Sequence, residues 1–344
     1  MKKIPLVVAL YTSVIALPVY AYQFELEVGY TDSETDYDSN FWPDEDSDSV
    51  DVRGTYYFND VEINKGPLSV AAFLNRASNV SVFYADGETE VDASQLVFSG
   101  PTIFGGTGGI GGYGAPILGS TFLIPKYEID TEQYLVNGQY IDVESGWLID
   151  ASYGYSEEDS DLGIDIERDS YGVGVGKYIA KYTRLKLDYL HTEIDIDTST
   201  SDVSSDSDVV NLGLFHVQEL GNGTFYDASV DVAYLDSDDG DDAQAYSVST
   251  TYYFSPSVGV GVSLSHIDGD DIDTTSYGVF GEWFITNNFS VSLNYLRSKV
   301  DDSEGEFVLL PYRGVDFTTL DNTSNSTSLD ADIDTFSVGA RLRF

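Results

Sequence analysis

The sequence predicts an all-β protein, a transmembrane up-and-down antiparallel β-barrel of fourteen strands, with sixteen as the alternative. Three observations carry this. The chain repeats one grammar, roughly ten alternating residues and then a break. The breaks are by turns short and long. The chain ends on "DIDTFSVGARLRF", where Phe336, Val338, Ala340, Leu342 and Phe344 share one parity and Thr335, Ser337, Gly339, Arg341 and Arg343 the other. Side chains alternate across a strand with period two, so this tail has one apolar and one polar face. A frayed terminus has no use for such a strand. A closed barrel does, because its last strand must pair with its first.

Composition narrows the class. A chain of 344 residues is long enough for a large single domain. It carries 16 Lys+Arg against 59 Asp+Glu, a formal charge of -43. That argues against nucleic acid as a partner, since phosphates need basic groups. There is no cysteine, which excludes thiolate metal sites, thiol nucleophiles and disulfides. The 26 Tyr and 18 Phe favour strands and suit side chains with one apolar and one wet end, as at a membrane interface.

The first element is "MKKIPLVVALYTSVIALPVYAYQ". Lys2 and Lys3 precede an apolar stretch from Ile4 to Leu17, and Val19-Tyr20-Ala21 is an A-x-A-like cleavage site. Residues 1–21 therefore read as a secretory signal peptide, and residues 22–344 as the barrel domain. No other stretch holds about 20 uninterrupted apolar residues, so any membrane crossing is made by strands.

Alternation then predicts strands at about 22–31, 48–58, 78–86, 131–141, 146–156, 165–178, 182–194, 206–219, 224–236, 243–254, 258–268, 273–284, 288–299 and 333–344. Tight breaks such as "IAKY", "GNG", "SPS" and "TNN" take turns with longer acidic ones such as "DIDTSTSDVSSDSD", "DSDDGDD" and "DGDDID". Short periplasmic turns and long extracellular loops produce this rhythm, and an even strand count puts both termini on the periplasmic side. Outward candidates are Trp147, Ile149, Ala151 and Tyr153, Leu185, Leu187 and Tyr189, Ala228, Val230, Val232 and Tyr234, and Phe289, Val291, Leu293 and Tyr295. About eight strands fill a barrel with side chains; fourteen leave a lumen unless a segment folds in.

Two segments break the rhythm. Residues 59–77, "NDVEINKGPLSVAAFLNRA", stand where a short periplasmic turn is due, and "SVAAFLNR" has the length for about two helical turns. Residues 87–130 are long and Gly-rich, and they either narrow the mouth or add the hairpin that makes sixteen strands.

"GPLSVAAFLNRASNVSVFY" (66–84) and "EQYLVNGQYIDVESGWLIDASYGY" (132–155) resemble segments of the general porin family of gammaproteobacterial outer membranes. The first is similar to a Gly-Pro and Ala-Ala-Phe-Leu run ahead of a strand, the second to a strand–turn–strand. Asn137 and Gln139 depart from the small or basic residues that family would place there. The resemblance implies a passive outer-membrane diffusion channel of a Gram-negative bacterium. Its surroundings would be outer-membrane lipid and lipopolysaccharide, and the barrel-insertion machinery would read the C-terminal Phe344. Trimerisation is common in such porins, and a homotrimer stays open because no interface is readable.

Inward charge is the main functional signal. The pore-lining candidates are Arg53, Asp150, Arg168, Arg184, Lys186, Asp188, Asp227 and Asp231, all on the polar parity of their strands. Opposed charges across a lumen orient water and favour polar solutes; the plainer alternative is a solvated wall with weak ion pairs. Arg184 and Lys186 on one strand form the best basic pair, while Arg341 and Arg343 are expected too near the periplasmic end to filter.

The acidic loops lack the spacing and closing Glu of an EF-hand and read as a diffuse, cation-attracting rim. "GGIGGYG" lacks the strand and helix that a phosphate loop needs. His191, His216 and His266 lie on separate strands, and no Gly-x-Ser-x-Gly motif accompanies them. The expectation is no enzyme, no cofactor and no metal. The barrel would pass small hydrophilic solutes and ions by diffusion with mild cation selectivity. The alternative is a plugged barrel acting through its loops as an adhesin or receptor.

Overall fold

The computed structural model describes residues 21–37, 44–91, 127–198, 202–237, 242–269, 273–303, 307–308, 319–320 and 329–344. Fourteen strands close into an antiparallel barrel: β1 (Ala21–Tyr37), β2 (Glu45–Glu62), β3 (Asn79–Val91), β4 (Tyr127–Ile141), β5 (Trp147–Ser160), β6 (Ile164–Ala180), β7 (Thr183–Thr198), β8 (Asp202–Gly221), β9 (Thr224–Ser237), β10 (Ala243–Ser255), β11 (Val258–Gly269), β12 (Asp273–Thr286), β13 (Phe289–Ser303) and β16 (Leu329–Arg343). Each pairs with its neighbours in sequence. Two short strands between β13 and β16, β14 (Phe307–Val308) and β15 (Thr319–Leu320), pair only with each other. The barrel therefore has the fourteen strands expected. The expected signal segment and the Gly-rich run lie outside the described residues, except that strand β1 begins at Ala21 and that β3 and β4 extend to Val91 and from Tyr127.

The terminal strand has the partner its pattern asks for. β16 pairs with β1 from Glu25↔Arg343 to Tyr37↔Ala331. The Phe344 carbonyl accepts from the Gln23 and Phe24 amides at 2.9 and 3.2 Å, and the Phe344 amide donates to the Phe24 carbonyl at 2.9 Å. The Phe24 and Phe344 rings lie 5.8 Å apart on the outside of this seam.

The outer surface is apolar in a band. On β11 the outward Val260, Val262 and Leu264 are 45%, 51% and 51% exposed, which in water would be a costly patch and in lipid is the required face. Tyrosines edge the band toward the extracellular side, and their hydroxyls donate to acceptors beyond it: Tyr153 to Asp169 at 2.6 Å, Tyr189 to Asp208 at 2.7 Å, Tyr234 to Asp242 at 2.6 Å and Tyr295 to Asp334 at 2.6 Å. The ring is apolar and the hydroxyl polar, so a tyrosine fits where lipid meets headgroup.

Beyond the tyrosines the pattern inverts. Outward residues on β1 run Phe24, Leu26, Val28 and Tyr30, then Asp32, Glu34 and Asp36. Inward residues there become apolar. Val300, Ala331 and Ile333 pack together with Tyr37, and Ala233, Ala245 and Ile267 pack with Val209 and Ala243. The strands run longer than the alternation predicts for this reason. β1 continues to Tyr37 and β8 starts at Asp202, because the hydrogen-bonded ladder persists where the lipid-facing signal has stopped.

The two faces should tolerate charge differently. Val262→Lys puts an ammonium in the middle of the lipid band and is expected to cost roughly 2–4 kcal/mol. Ser263→Lys, on the adjacent inward position, is expected to cost much less. Equilibrium urea titrations of both variants folded into vesicles compare them, and equal losses would contradict the assignment of faces.

Candidate pore lining and a helix across the periplasmic mouth

The connection between β2 and β3 does not hang below the barrel. Pro67 leads into a single 3-10 turn, Leu68–Val70, which runs on into the helix α1 (Ala71–Asn75). Leu68, Val70, Ala71 and Leu74 are all buried. A free turn in the periplasm would expose them; their apolar area leaves water only by entering the barrel. Arg76 ends the helix in a left-handed conformation, φ 52°, an unusual state for a residue with a side chain.

The contacts of this segment run all round the ring. Ala71 packs with Tyr22, Tyr57 and Val61 of β1 and β2. Val70 and Leu74 pack on Val217 of β8. The Phe73 ring lies 5.2 Å from Tyr178 of β6 and 4.6 Å from Phe215 of β8. The Ser69 hydroxyl donates to the Tyr253 hydroxyl of β10 at 2.9 Å, and the Leu68 amide donates to the Pro256 carbonyl at 2.8 Å. Arg343 of β16 donates to the Leu68 carbonyl at 2.9 Å. Arg76 donates to Val143 O at 3.0 Å and covers the Tyr178 ring at 4.5 Å. A segment touching β1, β2, β6, β8, β10 and β16 lies across the mouth.

The turn that receives Arg76 is itself ordered. Asp142 accepts from the Ser145 hydroxyl at 2.6 Å and the Glu144 amide at 3.2 Å, bonds that hold its carboxyl below the usual range.

Ion pairs cluster at the level of the helix. Arg343 donates to Glu25 at 2.6 Å, and its guanidinium stacks over Tyr22 and Phe284 at 4.5 and 4.6 Å. Arg341 lies 2.5 Å from Glu27 and 3.2 Å from Glu282. Both arginines are at the end of the barrel that holds the chain termini, the end the sequence analysis expects to be periplasmic. That end also carries the helix, so they stand beside it.

The eight candidates fall into distinct settings. Lys186 sits between Asp150 and Asp188, at 3.1 and 2.6 Å. Gly174 lies in register between those two aspartates on β6, and a Cβ there would fall against both carboxylates, so the glycine makes room for the clamp. Arg168 pairs with Glu158 at 2.5 Å, in the outer half of the barrel beyond the tyrosine Tyr171. Asp227 is fully buried and accepts from the Tyr253 hydroxyl at 2.5 Å, so Ser69, Tyr253 and Asp227 form one chain from helix to wall. Asp231 accepts from Ser247 at 3.5 Å. Arg53 stacks over Phe83 at 5.1 Å. Arg184 stands over Phe73 of the helix at 5.7 Å. The expected basic pair is therefore split: Lys186 is held by the wall and Arg184 faces the helix.

A cavity of about 290 Å³ lies between the helix and the wall, lined by Phe73, Tyr57 and Tyr178, by the polar Asn79 and Gln139, and by both charges, Glu25 and Glu27 with Arg53 and Arg184. Phe73 and Tyr253 were not among the sequence candidates. The available signal was the apolar run of 68–74 in a connection that ought to be polar. On the outside of β3 and β4, Glu88, Glu90 and Glu128 bring oxygens within 4.8 Å of one another, part of the acidic extracellular wall.

Comparisons with known proteins agree with this geometry. A search of curated proteins finds no match in sequence. Among solved structures, the Acinetobacter baumannii outer membrane protein Omp33 is 18% identical with a TM-score of 0.53, covering 94% of this chain and 99% of its own. A deltaS2S3 mutant of the monoaromatic hydrocarbon channel TodX is 9% identical with a TM-score of 0.51, covering 96% of this chain and 91% of its own. These likenesses are of fold. The family model described as "Putative general bacterial porin" matches residues 1–118 and 128–313, and the chain belongs to that family.

Proposed function

We propose that this barrel is a passive channel of the bacterial outer membrane for small hydrophilic solutes and ions, with mild cation selectivity. The observation that carries the reading is the pairing of a lipid-facing apolar band with a charged inner wall around a lumen that, among the described residues, α1 and its flanks narrow. Passage runs between the helix and the wall, so solute size is selected at the periplasmic mouth. Arg53, Asp150, Arg184, Lys186, Asp188, Asp227 and Asp231 bias what enters, and Arg168 acts nearer the extracellular rim.

Charge favours cations for two reasons. Inward carboxylates at Glu25, Glu27, Asp150, Asp188, Asp227, Asp231 and Glu282 outnumber Arg53, Arg184, Lys186, Arg341 and Arg343 in the membrane-level lumen. The acidic extracellular wall adds a field that concentrates cations at the entrance. That field is screened as the Debye length falls from about 10 Å at 0.1 M to about 3 Å at 1 M salt. Reversal potentials in potassium chloride gradients are therefore expected to show cation preference that weakens as total salt rises. Anion preference, or a ratio indifferent to salt, would refute this account of selectivity.

The helix also favours a second reading. Its contacts on many sides suit a closed barrel that works through its loops as an adhesin or receptor. Conductance separates the two, since a closed barrel passes no current.

A further inference from the structure

We propose that the cavity between Arg184 and α1 is a binding subsite for small organic carboxylates that carry one apolar ring. The inference rests on the channel reading to the extent that solute must reach the lumen.

Most inward cations at this level are already matched. Lys186 has Asp150 and Asp188, Arg341 has Glu27 and Glu282, and Arg343 has Glu25. Arg184 makes no ion pair within 4.0 Å among the described residues; Asp188 and Asp231 attract it only at longer range, and its guanidinium stands over the Phe73 ring. A guanidinium left over an aromatic face keeps its planar fork of donors for a carboxylate, which it can hold with two parallel hydrogen bonds.

Two carboxylates, Glu25 and Glu27, also line the cavity, and each is held by an arginine of β16, Arg343 and Arg341. The rest of the cavity fits the remainder of such a solute. Phe73, Tyr57 and Tyr178 supply apolar ring surface, and Asn79 and Gln139, neighbours in the β3–β4 register, supply neutral hydrogen-bonding groups. The volume of about 290 Å³ is at the small end of the range for small-molecule pockets, roughly 300–1,000 Å³. A flat ring with one carboxylate meets all three conditions: charge at one end, apolar faces and modest size.

Benzoate is the probe, with benzamide as its neutral counterpart. Titration calorimetry on the folded, detergent-solubilised full-length barrel reads binding without relying on conduction. Benzoate is expected to bind and benzamide to bind at least about tenfold more weakly, as loss of a charge-assisted bidentate contact implies. Arg184→Gln is expected to weaken benzoate by a similar factor and leave benzamide unchanged; Arg184→Lys should recover part of the loss. Folding of each variant is checked by its heat-modifiable migration on gels. Equal binding of benzoate and benzamide, equal binding by Arg184→Gln, or no benzoate binding by a folded barrel would each overturn the proposal. Benzoate binding by a barrel that passes no current would keep the subsite and remove the channel; current without benzoate binding would do the reverse.

Discussion

Replacing residues 59–77 with an Asn-Gly turn is expected to raise single-channel conductance several-fold and leave the barrel folded. The Phe58 amide donates to the Ser78 carbonyl at 3.0 Å, so the β2–β3 ladder already reaches the pair that a tight hairpin would join. The change removes Leu68, Val70, Ala71, Phe73 and Leu74 from the mouth and leaves Val217, Phe215 and Tyr178 facing water. The deletion also takes the end of β2 and with it the Ala21↔Glu62 and Tyr22↔Val61 pairs. The loss is borne by the remainder of a closed ladder of fourteen strands, in which no strand pairing passes through the helix. A milder variant, Leu74→Asp, puts a charge where a side chain is buried against Val217 and should loosen the helix without shortening the chain. Both are checked by bilayer recordings on protein whose heat-modifiable migration shows a folded barrel. Unchanged conductance in the folded deletion variant would mean that the helix does not limit flow.

Arg343→Met is expected to destabilise the barrel by roughly 3–5 kcal/mol, the range for breaking one partner from a buried ion pair. Glu25 and Arg343 are 7% and 2% exposed, and they pair across the seam between the first and last strands. Without the guanidinium, Glu25 keeps Arg341 at 3.9 Å and the Tyr57 hydroxyl at 3.4 Å, both longer than the lost contact. The Leu68 carbonyl also loses its donor, so the helix is released on the β16 side. The double variant Glu25→Gln with Arg343→Met should recover part of the loss, because it removes the stranded charge. Urea midpoints of the three proteins in vesicles measure this. A single-variant shift within about 0.5 kcal/mol, the usual range for surface substitutions, would contradict the role of this pair.

The lipid-facing band was legible from the sequence because lipid demands an apolar residue at every second position. Phe289, Val291, Leu293 and Tyr295 satisfy that demand and so reveal β13 at once. The outer ends of the strands were not legible, since beyond Tyr30 the outward positions turn acidic and beyond Tyr295 they become Arg297 and Lys299, while the ladder continues. About two helical turns were readable in 69–76, but not their place. That depends on Val217, Tyr253 and Arg343, which are distant in sequence and meet them only once the barrel closes. Arg184 and Lys186 looked like one basic pair because they share a strand and a parity. Their difference comes from neighbours on other strands: Asp150 across β5 and β6 for Lys186, and Phe73 of the helix for Arg184.

Single-channel recording of the full-length, refolded barrel in a planar bilayer, under a potassium chloride gradient, tests the central claim most directly. The account predicts small, stable conductance steps with a reversal potential on the cation-selective side, small because the helix narrows the mouth. Protein that is demonstrably folded and inserted yet gives no steps would contradict it, and the loops would then be the working part of the molecule.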